Sequence, residues 1–237
     1  VNSSIPVQMS TITNPAGVAA GTNFTILFKG DGTFWGCGRN ASGMLGDGTF
    51  TQRNVAVQST AMCVVLQPVI SVPKNHVQSI AAGGWHSLAI CNDGTVKAFG
   101  ENASGQLGNG LTTDSNIPVS VSGLSGITAV SGGGDQINAH SMALKNNGTV
   151  WTWGSNLYGG LGNGTTVSSS TPIQVNSLKN IQAISAGGWH STALRNDGTI
   201  WTWGFNSDGQ LGDGTIVNKS TPLQVSGLNH EIGRAHV

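Results

Sequence analysis

Three histidines recur at one position of a repeated sequence pattern, each followed by serine: His86, His140 and His190. Imidazole is the commonest metal ligand among side chains and a frequent general base. Each histidine belongs to a different copy of the pattern, so we expect them on separate structural units, too far apart to share an ion. We therefore predict that they make structural hydrogen bonds and that the chain has no metal site.

Acidic residues recur in the same way, directly before a Gly-Thr pair, at Asp31, Asp93 and Asp197. An aspartate before glycine favours a turn, so its recurrence needs no catalytic explanation. Catalysis requires an asymmetric cluster of titratable groups, and the sequence has no such cluster and no GxSxG, HExxH, P-loop or EF-hand spacing. We predict a protein without catalytic residues, cofactors or a small-molecule substrate, and therefore not an enzyme.

Three cysteines, Cys37, Cys63 and Cys91, are separated by 26 and 28 residues. These spacings match neither a CxxC metal pair nor a paired disulfide framework, and free cysteine is among the more buried residue types. We predict buried free thiols, with a disulfide as the alternative, so the redox compartment stays open.

The composition indicates many turns between short strands. Of 237 residues, 36 are glycine and only 8% are charged, against a typical charged fraction of roughly 25%. No long stretch has apolar residues at helical spacing, which favours an all-β fold. Cationic and anionic residues are equal in number and form no runs, so we expect no binding to nucleic acid. The apolar stretches are shorter than the ~20 residues of a membrane-spanning helix.

A repeat determines the organisation of the chain. The tetrad LGxG occurs four times, beginning at Leu45, Leu107, Leu161 and Leu211. Three further landmarks keep the same spacing: an Asx-Gly-Thr turn, an asparagine and a glycine. The turns begin at Asp31, Asp93, Asn147 and Asp197, the asparagines are Asn40, Asn102, Asn156 and Asn206, and the glycines are Gly43, Gly105, Gly159 and Gly209. Four landmarks in one phase define four units.

The sequence of each unit predicts four short strands, and the pattern is clearest in the fourth unit. Its first three strands are predicted at 181–186, 190–195 and 199–203, with a Gly-Gly turn and then an Asp-Gly turn between them. Asx-Gly supplies the positive φ angles of a tight type I′ hairpin. A fourth strand around 221–225 contains a proline, which suits the edge of a sheet. This pattern predicts the four-stranded antiparallel blades of an all-β propeller.

Paired aromatic residues in these strands predict how the blades meet. Trp151 and Trp153 are two residues apart, like Trp201 and Trp203, so each pair shares one face of its strand. We expect these faces to pack between neighbouring blades.

Two units are especially similar. Residues 83–110 read GGWHSLAICNDGTVKAFGENASGQLGNG, and residues 187–214 read GGWHSTALRNDGTIWTWGFNSDGQLGDG. Motifs of this kind follow one another in the same order over nearly the whole chain, and they resemble the regulator of chromosome condensation repeat family. The first unit departs most, with Phe24-Thr25 in place of His-Ser and Cys37 in place of tryptophan. The resemblance implies a ring of seven blades, of which this chain would hold about four.

The repeat suggests a division of the chain into seven segments. We interpret 1–10 as the last strand of a preceding blade, 11–58 as the first blade, 59–76 as an insert, 77–122 as the second blade, 123–176 as the third, 177–231 as the fourth, and 232–237 as the translation of a common sequencing adapter.

Residues that break the repeat, or that stand beside its turns, are the best candidates for binding a partner. Loops on a rigid scaffold often carry function, and tryptophan is enriched in interface hot spots. The alternative is structural: a tryptophan that packs on its own turn, or an insertion that is merely tolerated. The candidate partner-binding residues are Trp85, Trp189, Asp135, Gln136 and Asn138.

These observations favour a non-enzymatic protein-interaction scaffold with an unknown protein partner and no membrane-spanning segment. The resemblance permits two alternatives: a guanine nucleotide exchange factor for a small GTPase and a secreted enzyme inhibitor. A cell-surface display or adhesion protein is a further alternative. The low charge and the abundance of serine, threonine and asparagine favour an extracellular or cell-surface location.

Overall fold

The computed structural model describes residues 9, 12–59, 63 and 76–226, which form sixteen β-strands in four antiparallel sheets. The first sheet contains β1 Pro15–Ala20, β2 Phe24–Lys29, β3 Phe34–Gly38 and β4 Arg53–Gln58. The second contains β5 Val77–Ala82, β6 His86–Cys91, β7 Val96–Gly100 and β8 Ser115–Ser120. The third contains β9 Ile127–Gly133, β10 His140–Lys145, β11 Val150–Gly154 and β12 Ser169–Gln174, and the fourth β13 Ile181–Ala186, β14 His190–Arg195, β15 Ile200–Gly204 and β16 Lys219–Gln224. The all-β prediction with four-stranded blades is confirmed.

Several predicted segments lie outside the described residues. They are 1–8 and 10 of the predicted preceding strand, 11 of the predicted first blade, 60–62 and 64–75 of the predicted insert, and 227–237 at the end. Within the described part of the chain, no helix is long and apolar enough to cross a membrane.

The turn between the second and third strands differs from the predicted type I′ turn. In the first sheet, the Gly32 amide donates to the Lys29 carbonyl (2.9 Å), and only Gly32 of this turn has a positive φ, at 83°. A type I′ turn needs two such residues, whereas a three-residue hairpin loop needs one glycine in the left-handed region. Asp31 adds a further constraint, because its Oδ1 accepts from the Thr33 amide (2.9 Å) and hydroxyl (2.6 Å). The aspartate therefore shapes a turn, as predicted.

The strands of each sheet follow one another in chain order, and the first strands of neighbouring sheets are in contact. The fourth strands consequently lie at the outer edge. Pro118, Pro172 and Pro222 are in these edge strands, where a missing amide proton breaks no inner hydrogen bond. The predicted position of the proline strand is confirmed.

Neighbouring sheets pack through apolar clusters, one between each adjoining pair of sheets. Trp153 of the third sheet is fully buried in one cluster with Leu88 and Ile90 of the second sheet, and Trp203 of the fourth sheet is fully buried with Met142 of the third. Aromatic residues at this register therefore fill the space between blades, as the sequence indicates, and their partners Trp151 and Trp201 are only partly buried.

The prediction of free thiols is wrong for two of the three cysteines. Cys63 and Cys91 form a disulfide, with their Cα atoms 5.7 Å apart, and Cys37 is free. Cys91 ends β6 and is buried beside Cys63 in the apolar cluster between the first two sheets. The fold brings together two cysteines whose spacing alone suggests no pair.

Removal of this disulfide is expected to lower the free energy of unfolding by about 3 to 4 kcal/mol, because it closes a loop across a separation of 28 residues. The C63A/C91A variant would be compared with the parent in urea unfolding followed by far-UV circular dichroism. The C37S variant is the control, since Cys37 is in no disulfide. Equal loss in both variants would show that the bond contributes no stability.

Candidate partner-binding rim

One end of the four sheets carries all five candidate residues. We call it the Trp rim and define it as the turns between first and second strands together with the loops between third and fourth strands. It comprises residues 21–23, 83–85, 134–139 and 187–189 in the turns, and 39–52, 101–114, 155–168 and 205–218 in the loops. The Asx-Gly turns and the described residues of the connections between sheets form the opposite rim.

The long loops of the Trp rim are held by the repeated asparagine. In the second sheet, Asn102 Nδ2 donates to the carbonyls of Leu111 and Thr113 (both 3.0 Å), and its Oδ1 accepts from the Leu107 amide (2.9 Å). Asn40, Asn156 and Asn206 make the same kinds of bond in the other three loops. The asparagine is buried at each position, so its recurrence reflects loop structure.

The repeated histidines link neighbouring sheets. His86 Nε2 lies 2.9 Å from Ser141 Oγ of the third sheet, and Ser141 Oγ donates to the Gln106 carbonyl (2.8 Å) of the second. Because the serine proton is used on that carbonyl, the imidazole Nε2–H is the donor to the serine oxygen. His140 and Ser191 repeat this arrangement at 3.0 Å. The predicted structural role of these histidines is supported by their geometry.

Burial keeps these two imidazoles neutral. It lowers the pKa of His86 to about 3 and that of His140 to about 4, with a smaller contribution from the next histidine in the series. His190 is less buried, and burial lowers its pKa too. Across the described residues, no group of three or more His, Cys, Asp or Glu side chains could hold a metal ion.

Trp189 belongs to an aromatic cluster that joins the third and fourth sheets. Its ring centroid lies 5.5 Å from that of Tyr158 and 5.1 Å from that of Phe205, and the Tyr158 and Phe205 centroids are 4.7 Å apart. Trp189 is half-buried, and its Nε1 is buried without a hydrogen-bond partner among the described residues. Sequence reasoning identified Trp189 but missed Tyr158 and Phe205, although Tyr158 is the single tyrosine of the chain.

Trp85 has a different neighbour. The guanidinium carbon of Arg39, from the first sheet, lies 4.1 Å from the centroid of the Trp85 ring, a cation–π arrangement. Trp85 also packs against the apolar cluster between the first two sheets. One face of this tryptophan is therefore occupied within the chain.

The insertion in the third sheet is an ordered turn on the same rim. Asp135 Oδ1 accepts from the amides of Ile137 (3.1 Å) and Asn138 (2.9 Å), and Ser104 Oγ of the second sheet donates to the Ile137 carbonyl (2.8 Å). Gln136 is exposed, whereas Asp135 and Asn138 are half-buried. These bonds hold the side chain of Ile137 in solvent, where it is 67% exposed.

Two of the five candidates come together. Asn138 and Trp189 line one small cleft, which they share with Leu157 and Tyr158. Leu157 is 57% exposed. The insertion of the third sheet and the tryptophan turn of the fourth therefore border one surface, whereas Trp85 contacts Arg39.

Exposed apolar side chains concentrate on the Trp rim. Ten large apolar side chains are exposed among the described residues. Those on the Trp rim are Phe50, Leu111, Ile137, Leu157, Val167, Ile216 and Val217, and those in strands are Val18, Val55 and Ile117. None of the ten is in the described part of the opposite rim, so the two ends of the sheets differ in apolar surface.

The two rims also differ in charge. Among the described residues, the carboxylates of the Trp rim are Asp47, Glu101, Asp114, Asp135, Asp208 and Asp213, and the cations there or at the adjoining strand starts are Arg39, Arg53 and Lys219. At the opposite end the cations are Lys29, Lys97, Lys145, Lys179 and Arg195, and the carboxylates are Asp31, Asp93 and Asp197. The Trp rim is therefore net acidic and the opposite end net basic, although the whole chain is neutral.

Glu101 is a buried member of this acidic set, at 5% exposure. Its Oε2 accepts from Gln106 Nε2 (3.0 Å). Burial first, and then the carboxylates of Asp114 and Asp135, raise the pKa of Glu101 to about 7. Three acidic residues are therefore close together where the loop of the second sheet meets the insertion of the third.

Comparison with protein families identifies this architecture. The family model described as RCC1-like domain matches residues 1–237. The ultraviolet-B receptor UVR8 of Arabidopsis thaliana is 30% identical over 175 residues, which are 73% of this chain and 37% of the receptor. The E3 ubiquitin-protein ligase HERC2 of Homo sapiens is 36% identical over 112 residues, which are 46% of this chain and 2% of the ligase.

A solved structure agrees with the fold. The crystal structure of human WBSCR16 superposes with a TM-score of 0.76 at 24% identity, covering 90% of this chain and 53% of that one. This chain spans 2% of HERC2, 37% of UVR8 and 53% of WBSCR16, and so matches only a part of each relative.

Proposed function

This chain belongs to the RCC1-like domain family, and we propose that it is a non-enzymatic protein-interaction scaffold whose partner binds the Trp rim. The observation that carries the proposal is the concentration of exposed apolar side chains on this rim. Exposed apolar patches on soluble proteins often mark interaction sites.

The part of the rim between the third and fourth sheets fits such a role best. It combines Tyr158, Trp189 and Phe205, whose rings pack together, with the exposed side chains of Ile137 and Leu157. Tyrosine and tryptophan are enriched among residues that dominate binding energy. Because the aromatic rings are held by one another, they would lose little conformational freedom on binding.

An extracellular or cell-surface location stays a prediction, and the Cys63–Cys91 disulfide favours it. Disulfides persist mainly in oxidising compartments.

We expect the I137D/L157D variant to bind partners at least about tenfold more weakly than the parent, because both changes place a charge in the apolar part of the interface. The test is to select binders of the parent chain from a random-sequence peptide library and to measure each against the variant by fluorescence anisotropy. Both side chains are largely exposed, so the fold should tolerate the changes.

The I117D variant is the matched control, since Ile117 is 50% exposed but lies in edge strand β8. Most selected peptides should bind it as they bind the parent. Peptides that bind I137D/L157D as well as the parent would place the binding surface elsewhere.

A further inference from the structure

We propose that the segment recognised by the Trp rim is basic, with lysine or arginine side chains beside an apolar anchor. The inference rests on the proposed function, because it assigns a chemistry to the partner of the same surface. It comes from the distribution of charge, which is an observation separate from the exposed apolar side chains.

The acidic charge of the Trp rim is only partly neutralised within the chain. Asp47 pairs with Arg53 (2.7 Å), and Asp213 lies 3.5 Å from Lys219 Nζ. The other four carboxylates of the rim have no ion pair among the described residues. They are Glu101, Asp114, Asp135 and Asp208.

Glu101 and Asp135 border the apolar part of the surface. The carboxylate of Asp135 organises the turn that presents Ile137, and the loop of Glu101 is tied to that turn through Ser104. Both Asp114 and Asp135 lie close enough to Glu101 to oppose its ionisation. A cation from a partner would be attracted by the carboxylates of Asp114 and Asp135, beside the exposed side chain of Ile137.

The rest of the rim offsets this attraction only in part, because one cation outside the ion pairs stands against four such carboxylates among the described residues. Arg39, a cation of the rim, is exposed and lies over the ring of Trp85. Among the described residues the net positive charge is at the opposite end of the sheets, so their charge distribution orients a basic partner toward the Trp rim. The same field disfavours nucleic acid and acidic peptides at this surface.

The test uses three short fluorescent peptides in which leucine alternates with lysine, with glutamine or with glutamate. At about 50 mM salt, we expect the lysine peptide to bind at least about tenfold more tightly than the glutamine peptide, and the ratio to fall at about 200 mM salt as surface charges are screened. We expect the glutamate peptide to bind more weakly than either. Equal affinity for the lysine and glutamine peptides would overturn the proposal.

Matched variants locate the effect. D114N/D135N retains side-chain oxygens that can accept from the Asn102, Ile137 and Asn138 amides, and we expect it to weaken binding of the lysine peptide about fivefold to tenfold by removing two negative charges. D93N/D197N is the control at the opposite end, where Asn147 already occupies the equivalent turn position, and should change affinity less than about twofold.

The outcomes separate this inference from the proposed function. If the lysine peptide bound D114N/D135N as tightly as the parent, the proposal of a basic partner would be overturned. If the library peptides still lost affinity for I137D/L157D, the interaction surface itself would stand. If they did not, the proposed function would fail whatever the lysine peptide did.

Discussion

The W153A variant is expected to lose about 4 kcal/mol of unfolding free energy, within the range for removing a large buried aromatic side chain. Trp153 is fully buried between the second and third sheets, and its Nε1 donates to the Gln106 carbonyl (2.8 Å). The same carbonyl accepts from Ser141, which also accepts from His86. The substitution therefore leaves a cavity and weakens a hydrogen-bonded link between two sheets. Urea unfolding followed by far-UV circular dichroism measures the loss.

Trp151 provides the control on the same strand. It is partly buried, and its Nε1 donates to Thr149 Oγ1 (3.3 Å) beside the Asx-Gly turn. We expect W151A to cost about 1 to 2 kcal/mol, as is usual for a change outside the most buried positions. A loss in W153A no larger than that in W151A would show that the contact between sheets is not a main source of stability.

The regular part of the fold could be predicted because its causes are local and repeat along the chain. A turn residue such as Asp31 acts on the two residues that follow it, and a strand such as β14 is bounded by two turns of known sequence. The conformation of the turn between the second and third strands was harder to predict from the sequence. The residues before Gly32 take negative φ angles, and the two-residue turn expected from Asx-Gly becomes a three-residue loop.

The irregular features depend on contacts between different units, which spacing does not report. Cys63 and Cys91 meet because Cys63 lies beside the end of β6. Tyr158 and Phe205 come from loops of two sheets and meet at Trp189. The motif His-Ser predicts a structural histidine, but the serine that each histidine contacts is in the next unit.

The charge difference between the rims could not be predicted from the sequence because it depends on the topology of the strands. Successive strands run in opposite directions, so residues close in sequence alternate between the two ends of a sheet. Lys97 and Glu101, for example, lie at opposite ends of β7. A chain with equal numbers of cations and anions and no charge runs can therefore have one acidic and one basic end.

The buried titratable groups predict how stability depends on pH. Below its ordinary pKa of 6.5, each of His86 and His140 binds a proton more readily in the unfolded chain, so stability falls as the pH falls. Glu101 acts in the opposite sense, because its pKa is raised from 4.5 to about 7. Between these values the folded chain binds more protons, and stability from this group rises as the pH falls.

The E101Q variant is expected to be much more sensitive to acid than the parent. The shifted pKa values of His86 and His140 lower the free energy of unfolding by about 4 kcal/mol as the pH falls from about 7 to about 5. In the parent, protonation of Glu101 raises the free energy of unfolding by about 2 kcal/mol over the same range. His190 adds to the loss, since burial lowers its pKa as well. Glutamine can still accept the hydrogen bond from Gln106 but cannot bind the proton. Urea unfolding at both pH values measures the difference.

The D93N variant separates this effect from the loss of any surface carboxylate. The hydrogen bond from the Thr95 side chain lowers the pKa of Asp93 below its ordinary value of 3.8, so Asp93 stays ionised throughout the measured range and its removal should leave the pH dependence unchanged. A parent and an E101Q variant with equal slopes would mean that Glu101 ionises normally. The neighbouring carboxylates of Asp114 and Asp135 would then not act on it.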